Sequence, residues 1–218
     1  MLPDFSYEKE AWDAGFGNVV GVDEVGRGAW AGPVVAGAVV FEKNTKYEYL
    51  NTKVKVDDSK RLSINEREKA NEFIKSNCLA CGIGSATAFT INKVGIVKAT
   101  RIAVRMAVEG CRKKLLEDKV DFLLLDAFYI PRVRGVRRNR QLAIVKGDQK
   151  SVSIAAASII AKVYRDRLMV SKSCQYGQYF WHKNVGYGTQ QHREAILTHG
   201  KTKLHRDLFL RKLEQRGN

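Results

Sequence analysis

The sequence lacks most of the short signatures that reveal a function at sight. No apolar run is long enough to cross a bilayer, and the opening residues, MLPDFSYEKE, are acidic and polar, unlike a secretory signal. The phosphate-binding pattern GxxxxGK[ST] is absent. Gly26-x-Gly28 is followed by glycine only at position 32, and Gly15-x-Gly17 only at 21, so both miss GxGxxG by one residue. No GxSxG nucleophile elbow is present. Cys78 and Cys81 form a single CxxC without a second pair at metal-site spacing, and Cys111 and Cys174 stand apart. The four thiols are therefore expected to be reduced, small and mostly buried in a cytoplasmic protein. No repeat or low-complexity tract is visible.

Acidic residues are also scarce. Asp plus Glu number 23 against 38 Lys plus Arg, an excess of +15. A surplus of that size suggests a polyanionic partner, nucleic acid before anionic membrane. The length of 218 residues allows one sizeable core with a small appendage.

VVGV (19–22), PVVAGAVVF (33–41) and LACGIGSATAF (79–89) are apolar runs close enough in sequence for an antiparallel meander. Residues 61–77 read as a charged helix opened by a capping box, Ser63 with Glu66. Residues 91–117 carry a helical stripe of Ala99, Ile102, Ala103, Met106, Ala107, Gly110 and Cys111. DFLLLDA (121–127) and LAIVKGD (142–148) are buried-type strands after a helix, expected to run parallel to a neighbour. Residues 151–169 form a second long helix, rich in small residues that let it lie close on a sheet. Together these predict an α/β fold with a mixed sheet and helices on its faces. Composition changes near 171–178, so residues 1–171 read as the main domain and 172–218 as a helical extension. Within that extension a helix from Thr189 stops at Gly200.

The few acids fall in telling places. Asp23 and Glu24 end the first apolar run, Asp126 ends FLLLD, and Asp148 ends LAIVKGD. An isolated buried carboxylate is costly to ionise, so such groups are normally paired or metal-bound. Hard oxygen donors suit Mg²⁺ or Mn²⁺ better than zinc. Two such ions ~3.5–4 Å apart can activate water and stabilise the leaving oxygen of a phosphodiester. Neighbouring residues of a regular strand point to opposite faces, so Asp23 and Glu24 can share a site only if the strand ends or twists there. For any one acid alone, a strand-end cap or surface charge is the simpler reading; the recurrence of four at like positions is what argues for a site.

GVDEVGRG, DDSKRLS (57–63), LLLDA, KGDQKSVSIAAASIIAKVYRDR (146–167) and HKNVGYGTQQHREAI (182–196), in that order, resemble the motifs of the ribonuclease HII family. The resemblance runs over nearly the whole chain. It implies a ribonuclease H-like fold with a mixed five-stranded sheet and a C-terminal helical extension that binds substrate. It also implies cleavage of RNA in RNA–DNA hybrids and cleavage 5′ of ribonucleotides embedded in duplex DNA, with two Mg²⁺ or Mn²⁺ ions, leaving 3′-hydroxyl and 5′-phosphate ends. The family's catalytic, metal-binding carboxylates match Asp23, Glu24, Asp126 and Asp148. Asp166, also inside a motif, is expected to form a structural ion pair with a neighbour such as Lys162 or Arg165.

Gly26, Arg27 and Gly28 match the family loop that reads the ribose 2′-hydroxyl. Tyr187 matches a tyrosine that packs on the junction sugar, and Lys60 a phosphate-contacting lysine. Ala29 stands where the family commonly has proline, which removes one constraint from the loop, and Ala127 where it often has glycine. The link YIPRVRGVRRNRQ carries Arg132, Arg134, Arg137, Arg138 and Arg140; a grip on backbone phosphates and a solvated loop are equally open readings. The chain is expected to be a monomer, with no membrane partner and with a replication clamp as a further candidate partner. Two rival readings stand beside the nuclease: a non-catalytic basic nucleic-acid-binding module, and a two-metal DNA-junction nuclease on the same fold.

Overall fold

The computed structural model describes residues 2–43, 45 and 54–214. Residues 215–218 of the expected extension lie outside the described residues. The first apolar runs become β1 (Val19–Val25), β2 (Val34–Val40) and β3 (Ala80–Ala86), a meander in which both pairings are antiparallel. β4 (Phe122–Asp126) and β5 (Gln141–Ile144) add on the other side of β1, parallel to it and to each other. The order across the sheet is β3-β2-β1-β4-β5. This is the mixed sheet expected from the pattern, with the five strands that the resemblance implies.

A short helix, α1 (Ser6–Asp13), precedes the sheet. Between β2 and β3 lies α2 (Ile64–Asn77), and the capping box is realised in full, with Ser63 accepting from the Glu66 amide and the Glu66 carboxylate accepting from the Ser63 amide. The helical pattern over 91–117 forms as two helices, α3 (Ala88–Val94) and α4 (Ile96–Arg112). Gly95, at φ +80°, both ends the first and begins the second. The buried stripe of α4 is Ala99, Thr100, Ala103, Val104, Ala107, Val108 and Cys111. Met106, expected on that stripe, is exposed and Ile102 half-buried. The break at Gly95 gives α4 its own start, and the stripe centres on small residues that can touch the sheet.

The other long helix, α5, runs from Val152 to Ser173 with Ser151 capping it, and so continues past position 171. It lies against the opposite face of the sheet from α4. Small residues set its distance: a Cβ on Gly21 would stand 2.2 Å from the Ser153 backbone. Gly84 performs the same service for α4, where a Cβ would stand 2.1 Å from the Ala103 carbonyl oxygen.

Beyond α5 come α6 (Trp181–Asn184), α7 (Gln190–His199) and α8 (Asp207–Glu214). Thr189 caps α7 and Gly200 follows its end, as the sequence indicates. A third apolar cluster, with Trp181, Tyr179, Ile196 and Leu210, joins this region to Ala31 and to Met169 of α5.

Candidate active site

The acids converge where the β1–β4 ladder stops. β4 pairs with β1 only as far as Val22↔Leu125, so Asp126 comes next in parallel register beside Asp23. β1 itself continues through Val25 and keeps its β2 partners, Asp23↔Gly37 and Glu24↔Ala36. The first run therefore does not end at the two carboxylates, as the sequence suggests. What ends is the pairing on one side, and Asp126 raises the pKa of both acids across that open edge.

Asp148 is not on β5. It lies four residues past Ile144, in a 3₁₀ turn (Gly147–Gln149) entered through Lys146 in the left-handed region, φ +56°. The strand stops short because this turn folds back onto β4: the Gly147 amide donates to Asp126 Oδ1 at 2.8 Å. That bond orients Asp126 and brings Asp148 within electrostatic reach of it.

The resulting cluster is short of positive charge. Asp23 is 5% exposed and its pKa is raised well above the usual carboxylate range, by burial first, then by Glu24 and Asp126, against a hydrogen bond with Ser158. Burial also raises Glu24, with Asp126 adding to it and Arg27 opposing. Asp148 is raised by burial, Asp58 and Asp126, with Lys60 opposing. Two basic side chains offset the acids from the rim. Arg27 Nη1 lies 3.1 Å from Glu24 Oε1, and Lys60 Nζ 3.6 Å from Asp148 Oδ2. Burial works against the charged Lys60 amine, but Asp58, Asp148, Asp23 and Asp126 together raise its pKa.

Among the described residues no three His, Cys, Asp or Glu side chains stand as a ready-made metal cage. Like charges separate, and Arg27 and Lys60 each hold one carboxylate at the rim. The donor set is nevertheless all hard oxygen, partly buried and under-neutralised, which suits Mg²⁺ or Mn²⁺. Cations bound in this cluster would favour the ionised forms of Asp23, Glu24 and Asp148, against the burial and like charge that raise them.

The GRG turn sits directly after β1. Gly26 has φ +86°, and a Cβ there would meet Arg165 Nε at 2.1 Å, so the fold itself requires glycine. Gly28 is different. A Cβ at Gly28 would meet nothing within 4 Å. Its bare backbone faces open space, where a sugar could approach closely. Ala29, in place of proline, retains an amide that closes the turn onto the Gly26 carbonyl at 3.3 Å.

Two arginines that the motif reading did not assign hold this turn. Arg165, fully buried, donates to the carbonyls of Pro33 (3.0 Å), Val185 (2.9 Å) and Ala31 (3.1 Å). Arg206, also fully buried, donates to those of Gly32 (2.9 Å) and Arg27 (2.9 Å). Among the described residues neither forms an ion pair, and burial lowers the pKa of both, Arg206 to about 9. Asp166 instead pairs with Lys162, at 2.7 Å, as one of the two expected options. Sequence alone placed Arg165 inside a motif, but nothing in the pattern marks it as facing inward to carbonyls.

Tyr187 is half-buried, its ring 5.3 Å from the Arg165 guanidinium carbon. A neutral imidazole pair fixes its backbone. His192 Nδ1 lies 2.9 Å from the Tyr187 carbonyl oxygen, and His192 Nε2 lies 3.1 Å from His205 Nε2. The Thr202 amide donates to His205 Nδ1 and Trp181 Nε1 to His192 Nε2. One tautomer set satisfies every atom: His192 protonated on Nδ1, His205 on Nε2. The structure thus brings Asp23, Glu24, Asp126, Asp148 and Lys60 into one electrostatic cluster, bordered by Gly26, Arg27 and Gly28. Tyr187 joins that border through Arg165 and the 184–188 segment. Asp58, buried and within reach of both Lys60 and Asp148, is a further member that the spacing of strand-end acids did not indicate.

Comparison with known proteins places the chain in a family and matches its fold to solved structures. The family model described as Ribonuclease HII matches residues 20–212. A ribonuclease HII of Chloroflexus aurantiacus is 43% identical over 209 residues, covering 96% of this chain and 94% of that protein. The crystal structure of ribonuclease H2 from Pyrococcus horikoshii superposes with a TM-score of 0.69 at 26% identity, covering 92% of this chain and 98% of that one. An Archaeoglobus fulgidus ribonuclease HII, solved in complex with PCNA, gives a TM-score of 0.65 at 25% identity over 90% of this chain and 97% of that one.

Proposed function

The chain belongs to the ribonuclease HII family, metal-dependent endoribonucleases that hydrolyse RNA in RNA–DNA hybrids, and on that premise we propose that it cleaves 5′ of ribonucleotides embedded in duplex DNA. The observation that carries the reading is the under-neutralised acid cluster beside a glycine turn with an open backbone face. Asp23 and Asp126 would hold the cations, with Glu24 and Asp148 completing the set of oxygen donors. Two divalent ions bound there would supply an activated water and neutralise charge on the departing 3′ oxygen. Gly28 leaves room for the ribose, and the turn's backbone reads the 2′-hydroxyl, the group that separates RNA from DNA. Tyr187 packs on the neighbouring sugar. Lys60 and Arg27, which border the acids, would contact substrate phosphates. The 2′-hydroxyl is recognised and does not attack, so the ends are 3′-hydroxyl and 5′-phosphate.

Residues 1–171 carry the chemistry, and 172–218 add the substrate-binding Tyr187. The enzyme acts as a cytoplasmic monomer, and a sliding clamp of the PCNA kind is its candidate protein partner. Carboxylates repel phosphate unless cations intervene, which disfavours a non-catalytic binding module.

One assay tests the proposal. Duplexes with a single ribonucleotide, all-DNA duplexes and long hybrids are incubated with Mg²⁺ or Mn²⁺, and the ends are mapped. Cleavage confined to ribonucleotide-containing strands, abolished by chelator, is expected. Cleavage of all-DNA junctions, 2′,3′-cyclic phosphate ends, or binding without products would overturn it.

A further inference from the structure

The basic link after Asp126 does not hang free. Arg105 of α4 donates to the Pro131 carbonyl at 3.1 Å and fixes the link against the helix. Two adjoining cavities open along this seam, of about 400 Å³ and about 610 Å³. Both share Arg101, Pro131 and Arg132 as walls; Lys98 and Arg105 line the first, Arg137 and Arg138 the second. No Asp or Glu lines either cavity.

Other cations of this surface do find acids, as in Lys55–Asp57, Lys119–Asp121, Lys162–Asp166, Arg167–Glu68 and, at the far end of the same link, Arg134–Glu109. Among the described residues Lys98, Arg101, Arg105, Arg132, Arg137 and Arg138 form no ion pair. Arg101 donates to no acceptor among the described residues, and its Nε is buried without a partner there. Six like charges along one seam repel each other unless an anion lies among them.

The seam also connects to the site. The Phe128 amide donates to the Asp126 carbonyl, and the Arg27 guanidinium carbon lies 5.1 Å from the Phe128 ring centre. The next residue, Tyr129, lines the second cavity with Arg138 stacked on its ring. A strand leaving the acid cluster past Arg27 therefore meets the seam within three residues of Asp126.

We propose that this arginine seam between α4 and the 129–138 link is a second binding site, for the sugar-phosphate backbone of the duplex flanking the cleaved position. It rests on the nucleic-acid substrate proposed above and extends the footprint on that substrate to one side of the cut. Phosphate oxygens accept from Arg101 and from the exposed Lys98, Arg132 and Arg137, and no base is read, so the site adds affinity without sequence preference.

The test is a triple variant at exposed positions, Lys98→Gln, Arg132→Gln and Arg137→Gln, with Arg101→Gln alone as a second variant and melting temperature as the folding control. Anisotropy with an all-DNA duplex and with a single-ribonucleotide duplex, across a salt series, reads binding whether or not cleavage occurs. The log–log salt slope should flatten by about 0.9 per lost contact. KM on the ribonucleotide duplex should rise with kcat unchanged. Trimming the duplex on one side of the ribonucleotide should erase the difference from the unmodified protein, and trimming the other side should leave it. An unchanged slope in folded variants, a difference indifferent to which side is trimmed, or weaker binding to anionic vesicles in place of DNA would each overturn the seam. Absence of cleavage by the unmodified protein, with the slopes as expected, would instead count against the proposed reaction and leave the seam standing.

Discussion

Arg206, near the C-terminal end of the described chain, donates from Nη1 to the Arg27 carbonyl across 2.9 Å. Residues 179 positions apart are thereby tied, and the extension becomes part of the recognition turn. Around that bond the Arg206 amide donates to Trp30 O, the Gly32 amide to Leu204 O, and Ala31 bridges His205. Arg206→Lys keeps the charge but loses the fork that reaches two carbonyls. A lost hydrogen bond to a charged donor costs about 1.5–3 kcal/mol. The variant should melt lower, and kcat/KM on a single-ribonucleotide duplex should fall by about tenfold or more; equal kinetics in a folded variant would refute a positioning role.

Gly26→Ala should be far more damaging than Gly28→Ala in the free protein. The first places a methyl against Arg165 at positive φ, while the second enters open space. Thermal melting should therefore separate them, with Gly26→Ala destabilised by about 1–3 kcal/mol and Gly28→Ala near the unmodified protein. Gly28→Ala should still lose cleavage, because the open space is where the ribose is proposed to lie.

Removing an acid should stabilise the metal-free protein while ending its activity. Asp23 has a raised pKa in the fold, so its native form binds protons more tightly than the unfolded chain. Stability is then lost as pH rises from the ordinary carboxylate range through the raised value. Asp23→Asn removes that penalty and should melt a few degrees higher in chelator at neutral pH. Mg²⁺ should raise the melting temperature of the unmodified protein and not of the variant, whose cleavage should fall more than about 100-fold, since partners of ligands alone cost about 10–100-fold. A variant destabilised in chelator would contradict the electrostatic account.

The histidine pair predicts acid sensitivity. Burial first, and then His192, lowers His205 to about 4, and burial lowers His192 as well. Unfolded histidines protonate near 6.5, so between that pH and about 4 the unfolded chain binds more protons and stability falls as pH falls. Imidazole signals followed by NMR should show His205 neutral at pH 5.5. Protonation of His205 in the folded protein at pH 6 would exclude the tautomer network that holds the Tyr187 carbonyl.

The local elements were legible because local rules govern them. Apolar runs mark β1 to β3, Ser63 and Glu66 mark the start of α2, and Thr189 and Gly200 bound α7. The resemblance named the four acids and the GRG turn outright. Among the features that misled, a continuous helical period hid the break at Gly95, and the apolar run before Asp148 suggested a strand reaching Asp148 where β5 ends at Ile144. In both, a backbone turn overrides the side-chain pattern, because the pattern records burial and not chain direction.

By itself the sequence determined most of the strands and the longer helices, the positive surplus and the chemistry of the acids, all of which follow from residue type and near-neighbour spacing. Only the tertiary structure decided that Asp126 faces the open edge of β1, that Arg165 and Arg206 point inward to carbonyls, and that α4 and the arginine link form one seam. Those outcomes depend on which distant segments share a small volume, and burial there reverses the ordinary preferences of charged groups.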